Sequence, residues 1–339
     1  MLPNMTFANV LPPSADAPRL LADIGGTNAR FALEIAPGQT DQIVVLPCAD
    51  HASLTQALRV YLALPAVAAA GGALIRDAGI AIANPVDGDS VRMTNHHWEF
   101  SIAAMRAELA LRTLVVVNDF TALARSLPLL SSAQKCQVGG GQAREHGALG
   151  LIGPGTGLGV SGLIPSSAGW VALLSEGGHV SFSPADETEI GILQFALTEF
   201  EHVSAERLMS GVGLELIYRA LAQRAGVMPE AIAAPEILRR ALAGESTLCD
   251  QVIEAFCKML GTVAGNLAVT LGARGGIYIG GGIVPRLGKR FAASGFRARF
   301  EQKGRFAGYL AQVPTYVVLA QYPAFLGVAA MLDEALTSS

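Results

Sequence analysis

The feature that most constrains this chain is one pattern written twice: a strand-like apolar run, a glycine-bearing turn and a second strand-like run. The first copy occupies residues 19–35 around Gly25-Gly26-Thr27, and the second occupies 149–164 around Gly153-Pro-Gly-Thr-Gly157. Each reads as a β-hairpin, because residues that pack well on a pleated surface flank a short turn that bends the backbone. After the first copy come a strand at 43–47, a helix at 53–62 with Ser53 as N-cap, strands at 79–83 and 90–94, a helix at 101–111 and a β-rich run at 114–117. The second copy is followed by a strand at 170–174, helices at 187–200, 204–225, 235–243 and 248–271, strands at 276–280 and 315–320, and a final helix at 326–336. The fold class is therefore α/β. Two halves that each open on the same hairpin point to internal duplication, although residue-level similarity between them is weak.

Composition narrows the function classes. With 339 residues, 51% hydrophobic and 15% charged, the chain holds enough apolar material for two cores and too little charge for a disordered tail. Its 24 basic and 28 acidic residues give a net charge of -4, and the basic ones are scattered, so no nucleic-acid partner is expected. The apolar stretch 60–75 is broken by Pro65 and Gly71-Gly72 and falls short of the ~20 residues that span a bilayer, so no membrane segment is expected. Residues 1–18 lack a basic start and a long apolar core, and read as a flexible leader in which the Asn4-Met5-Thr6 sequon has no meaning. Cys48, Cys136, Cys249 and Cys257 form no CxxC pair, which suits reduced thiols in the cytoplasm.

Several motifs carry chemistry. Asp23-Ile-Gly25-Gly26-Thr27-Asn28-Ala-Arg30 sets backbone N–H groups and a hydroxyl beside a carboxylate, a turn that can approach a phosphate. Gly155-Thr156-Gly157 lies in a second such turn. Its G-x-G-x-x-G match is followed by a strand where a dinucleotide fingerprint needs a helix, and no G-x-x-x-x-G-K-[ST] occurs anywhere. Gly280-Gly281-Gly282 ends a buried strand, where a flat ligand or another backbone can lie against the chain. Asn118-Asp119 follow Leu-Val-Val-Val at a strand's carboxyl end, where open α/β sheets bind ligands. There Asp119 reads equally as a general base, a contribution of roughly 10² to 10⁴ in rate, or as an ordinary helix cap. Glu176-Gly-Gly-His179 and Glu206 carry no assignment of their own.

Taken in order, Asp23-Ile-Gly-Gly-Thr-Asn-Ala-Arg, Val-Asn118-Asp119-Phe, Gly-Pro-Gly-Thr-Gly-Leu-Gly, Glu176-Gly-Gly-His179, His-Val-Ser-Ala-Glu206-Arg and Gly-Gly-Gly-Ile-Val-Pro resemble the bacterial glucokinase family, as do Met93-Thr-Asn-His-His-Trp98 and the segment 295–306. The resemblance implies two RNase H-like domains of the actin-like ATPase fold with an interdomain cleft. A small domain would span 19–129 plus 320–339, and a large one 130–319. It also implies transfer of the ATP γ-phosphate to the 6-hydroxyl of glucose with Mg²⁺, and a homodimer. By the same likeness Asp119 is the base, and Asn118, Asp119, Glu176, His179 and Glu206 hold the sugar. Asp23, Gly25, Gly26, Thr27, Asn28, Gly155, Thr156 and Gly157 face the phosphates, and Gly280, Gly281 and Gly282 border the adenosine. No protein metal site is implied; Mg²⁺ would arrive with ATP, Asp23 being its one candidate ligand. The zinc motif typical of the related repressor, open-reading-frame and kinase family is missing. A sugar-sensing regulator on the same fold, a kinase for another hexose and a donor such as polyphosphate stay open at this point.

Overall fold

The computed structural model describes residues 12–94, 96–167 and 169–337. The sequon and the first eleven residues of the expected leader lie outside these, as does Asn95 of the Met93–Trp98 motif. The chain forms two compact units, one made of the residues up to Leu129 and from Gln321 onward, the other of Leu130–Ala320.

In the first unit, strands β1 (Arg19–Ile24), β2 (Asn28–Ala36), β3 (Gln39–Pro47), β4 (Asp77–Ile82) and β7 (Thr113–Asn118) form a five-stranded sheet in the order β3-β2-β1-β4-β7. A separate small ribbon pairs β5 (Ser90–Arg92) with β6 (Glu99–Ser101). The pairs β1/β2 and β2/β3 are antiparallel, and β1/β4 and β4/β7 are parallel. Buried along its whole length, β4 is an uninterrupted small-apolar run after Asp77, as a strand covered on both faces must be. One face packs on the helix Leu54–Leu62, capped by Ser53 as expected through a bond from the Gln56 N–H. The other face is covered by the helix Pro323–Thr337, where Leu21, Ala32 and Ala81 meet Phe325, Val328 and Ala329. Small residues let that helix come close: a Cβ on Gly79 would stand 2.9 Å from Val328, and one on Gly327 would run into the carbonyl of Ala122. Before β1, Ser14 and Ala17 pair in an isolated bridge, and Pro13 is buried.

In the second unit, β8 (Lys135–Val138), β9 (Leu149–Pro154), β10 (Leu158–Ser166), β11 (Gly169–Ala172), β12 (Gly276–Ile279) and β13 (Thr315–Val318) form a sheet ordered β11-β10-β9-β12-β13-β8. Leaving out the edge strand β8, both sheets run third-second-first-fourth-fifth in chain order, with the same antiparallel and parallel pairings. The duplication that is faint in residue identity is plain in topology.

One expected helix, 204–225, is two: Ala205–Leu208 and Gly211–Arg224. Ser210 takes an extended backbone and caps the second helix by accepting from the Gly213 N–H, which breaks the run. Among the described residues, the helix Thr247–Leu271 has the length and apolar content of a membrane span. Here it is a core helix, with Val252, Ile253, Phe256, Met259 and Leu260 fully buried and the helix Phe296–Glu301 seated against Gly261 and Gly265.

Candidate active site

In the first unit, the carboxyl ends of three neighbouring strands line up. The ladder pairs Asp23 with Ala81 and Ala81 with Val117, so β1 and β7 deliver Asp23 and Asp119 to the same end of the sheet, two strands apart. Asp119 opens the helix Asp119–Ser126, yet it does not cap it. Asn118 is the cap: its side-chain oxygen accepts from the N–H groups of Phe120 (2.9 Å) and Thr121 (3.1 Å). Asp119 is thereby released from capping duty. Its Oδ1 accepts from the Phe120 N–H at 2.9 Å and from Asn118 Nδ2 at 3.1 Å, which leaves Oδ2 without a hydrogen-bond donor among the described residues.

The electrostatics of this pair follow from its surroundings. Asp119 is half-buried, and burial, followed by repulsion from Asp23, pushes its pKa up to about 7 against the bonds from Phe120 and Asn118. Asp23 is also raised, chiefly by burial, and the guanidinium of Arg30 opposes that. Arg30 stands across the β1/β2 ladder from Asp23 and donates to its Oδ2 at 3.2 Å. Of the two acids, Asp23 has a guanidinium partner, and Asp119 has none beyond the N–H groups of Phe120 and Asn118.

Beside them the first glycine turn closes by the Gly25 N–H donating to the carbonyl of Asn28 at 3.0 Å. Cys48, the residue just past β3, anchors it with its N–H on the Thr27 carbonyl and its thiol near the Gly25 carbonyl. Neither Gly25 nor Gly26 takes a positive φ, and a Cβ on Gly25 would meet the Asn28 carbonyl at 3.4 Å. Thr27 is exposed at the tip.

The second unit gathers the other predicted residues. The carboxylate of Glu206 accepts from the Leu158 N–H at 2.9 Å, just past the second glycine turn. A Cβ on Gly157 would strike that carboxylate, so glycine is what admits Glu206 there. His179 stands 3.9 Å from Glu206 through Nδ1 and 3.9 Å from Glu176 through Nε2, and both His179 and Glu176 are exposed. Gly155 carries an ordinary φ with open space where a Cβ would be, and its carbonyl accepts from the Gly211 N–H at the start of the helix Gly211–Arg224. Gly281 has φ +75°, and its missing side chain makes room for the carbonyl of Pro154, which explains that glycine by backbone packing. Gly282 faces open space, while Gly280 is buried and bonded to Ile152.

Two participants escaped the sequence reading. The first is the N-terminus at Ser210-Gly211, flagged in retrospect by the Ser-Gly-Val-Gly run that interrupts a helical pattern. The second is Asn84, whose carbonyl receives Asn118 Nδ2 and which belongs to no motif. A cavity of about 440 Å³ in the second unit is lined by Asp186, Glu189, Arg224, Glu254 and Lys258, and holds none of the predicted residues. Its carboxylates are already bound by Arg299 and Arg290.

The chain is 58% identical over 325 residues to the bifunctional protein glk of Burkholderia pseudomallei, a match covering 96% of this chain and spanning about half the length of that relative. It is 54% identical over 322 residues to a glucokinase of Neisseria meningitidis, covering 95% of this chain and 97% of that one. Among solved structures, glucokinase from an Antarctic psychrotroph superposes with a TM-score of 0.84 at 37% identity, covering 94% of this chain and 99% of that one. The sequence model described as Glucokinase matches residues 20–335, nearly everything the two sheets and their helices contain, and the chain therefore belongs to the glucokinase family.

Proposed function

We propose that this chain transfers the γ-phosphoryl group of ATP to the 6-hydroxyl of glucose, the entry step of glycolysis, with Asp119 as general base. One observation carries the assignment. Asn118 does the capping, so the Asp119 carboxylate at the strand end is available, with a pKa of about 7 that suits a base working near neutral pH. As the hydroxyl oxygen attacks phosphorus, its proton passes to the carboxylate and ADP leaves with the electrons of the broken P–O bond. The remainder of the work is positioning and charge stabilisation.

In this reading Asn118, Glu176, His179 and Glu206 pair with sugar hydroxyls. A polyol lacking one of those hydroxyls leaves a polar group of the site unpaired, which discriminates strongly. Asp23, Gly25, Gly26, Thr27, Asn28, Gly155, Thr156 and Gly157 face the phosphates through N–H groups and hydroxyls. Gly280, Gly281 and Gly282 border the adenosine, with Gly282 supplying the open approach. Two acids raised by burial, Asp119 further by repulsion from Asp23, suit Mg²⁺ entering with the nucleotide, for which Asp23 is the candidate ligand. Among the described residues no group of three His, Cys, Asp or Glu side chains could hold a metal by itself. The topology common to both sheets supports a pair of RNase H-like domains of the actin-like ATPase fold. A cytoplasmic homodimer completes the proposal.

The test is a coupled assay of the purified chain across glucose, mannose and N-acetylglucosamine, each with ATP and with polyphosphate. Glucose with ATP and Mg²⁺ is expected to be turned over fastest. Absence of transfer to glucose from ATP would refute the assignment, and light scattering on the same sample decides the dimer.

A further inference from the structure

We propose that Asn84 is a positioning residue for this reaction: it fixes the amide of Asn118 and, through that amide, the carboxylate of Asp119. The inference rests on Asp119 being the base.

Asn84 lies just beyond β4, the strand between those that carry Asp23 and Asp119, and it is 8% exposed. A buried amide needs partners for both of its ends, and Asn84 finds them locally. Its Nδ2 donates to the Pro85 carbonyl at 2.8 Å and its Oδ1 accepts from the Thr94 N–H at 3.0 Å, while its own N–H donates to the Ile82 carbonyl at 2.7 Å. The side chain thus ties the turn after β4 to the segment leading to Trp98, itself held by Met93 N–H on the Trp98 carbonyl and by the Trp98 indole on His51. Pinned in this way, the Asn84 carbonyl points at Asn118 and receives Nδ2 at 3.4 Å.

That contact decides which way the Asn118 amide faces. Its oxygen lies on the Phe120 and Thr121 N–H groups, and its nitrogen lies between the Asn84 carbonyl and Asp119 Oδ1. A flipped amide would set oxygen against both of those acceptors and an NH₂ group against two N–H donors. Without the Asn84 side chain the carbonyl loses its anchor, Asn118 Nδ2 loses one of its two acceptors, and Asp119 loses a steady donor. A hydrogen bond to a carboxylate favours the ionised form, so its loss moves the titration of Asp119 upward. The charge acting on Asp119 is that of Asp23 on β1, with Arg30 of β2 attached to it. On β4 the ionisable Asp77 stands at the opposite end, paired with Arg112. From the helix Pro323–Thr337, Asp333 and Glu334 are bound to Arg19 and Arg125, while the ring of His96 packs against those of His97 and Trp98.

Asn84→Ala and the milder Asn84→Ser, which keeps an oxygen near Thr94, test this in the full chain. Two readouts are needed: the ¹³C NMR titration of the Asp119 carboxyl in the absence of substrate, and kcat and KM for glucose across pH. In Asn84→Ala the midpoint of Asp119 is expected to rise by about half a unit to one unit, and kcat at neutral pH to fall about tenfold with KM changed far less, partly recovering at higher pH. Asn84→Ser should lie between this variant and the parent. A midpoint unchanged in both variants overturns the proposal even if activity drops, because a packing defect lowers activity without moving that titration. Failure of both to fold overturns it as well, since Asn84 would then serve the fold alone. If the parent transfers no phosphate, the assignment of function falls, while the NMR arm still decides whether Asn84 governs Asp119.

Discussion

The two glycine turns share a hairpin topology and little more than a Gly-Thr pair in sequence, yet they are held in different ways. The turn at Gly25–Thr27 is secured from within its own hairpin and by Cys48 at the end of β3, and acids sit beside it: Asp23 on its own strand, and Asp119 delivered by β7. The turn at Gly155–Gly157 is gripped from outside by Glu206 on the Leu158 N–H and by the first residue of the helix Gly211–Arg224. One hairpin has thus been placed against two acids whose pKa values burial raises, the other against a helix start and a hydrogen-bonded carboxylate. In the proposed reading, the difference teaches that duplication supplied two similar hairpins to face the phosphates, and that neighbouring elements divided the labour between proton transfer and anchoring.

This contrast can be broken from the first turn's side with the largest effect. Asp119→Asn should reduce kcat by roughly 10² to 10⁴ while leaving glucose binding near normal; near-normal kcat would remove Asp119 from the role of base. The parent's kcat/KM should climb with pH through an acidic limb near 7, where Asp119 ionises, and the variant should lose that limb. Stability carries the opposite sign. Because folding raises the pKa of Asp119 above its usual 3.8, ionising it opposes folding: that cost is absent below the unfolded pKa and fully present above the folded one. Without ligands Asp119→Asn should therefore melt a few degrees higher than the parent at pH 8 and at about the same temperature at pH 4, roughly 1 kcal/mol once solvent screening of a partly exposed acid is allowed for.

On the second turn's side, Gly281→Ala is next in size. It forces a side chain into φ +75° and onto the Pro154 carbonyl, and should destabilise by about 1 to 3 kcal/mol, read as a lower Tm. Gly157→Ala displaces the Glu206 carboxylate and should raise KM for glucose about tenfold, more than KM for ATP, in line with the loss of about one charged hydrogen bond. The smallest effect belongs to Gly155→Ala. Its methyl meets no protein atom within 4 Å, so Tm should hold while KM for ATP rises a few-fold; an unchanged KM would leave the second turn without a nucleotide to cradle.

Much of this architecture was legible because its signals are local. Ser53 announces its helix by capping it, and both hairpins declare themselves by glycine between apolar runs. What escaped is what depends on distant partners. Strand β8, Lys-Cys-Gln-Val, is short and half polar, and becomes a strand only because β13 offers it a free edge. The helix expected at 204–225 breaks at a capping serine whose effect is overwhelmed in the sequence by apolar periodicity on both sides. The site followed the same rule. Every predicted residue sits in a recognisable motif, and whether Asp119 caps its helix or stands free was settled only by the amide of Asn118. Asn84 acts through a main-chain carbonyl, a group that leaves no trace in residue identity.

The helix Pro323–Thr337 returns to the first unit after the whole second unit has intervened, and it lies against the helix that bears Asp119. Chain order therefore imposes an order of assembly on a ribosome. Residues of the second unit can collapse as they emerge, while the sheet face formed by Leu21, Ala32 and Ala81 must wait, greasy and uncovered, for Phe325 and Val328 to arrive. A nascent chain halted before Pro323 would hold both glycine turns and the acid, and still lack the brace that steadies it.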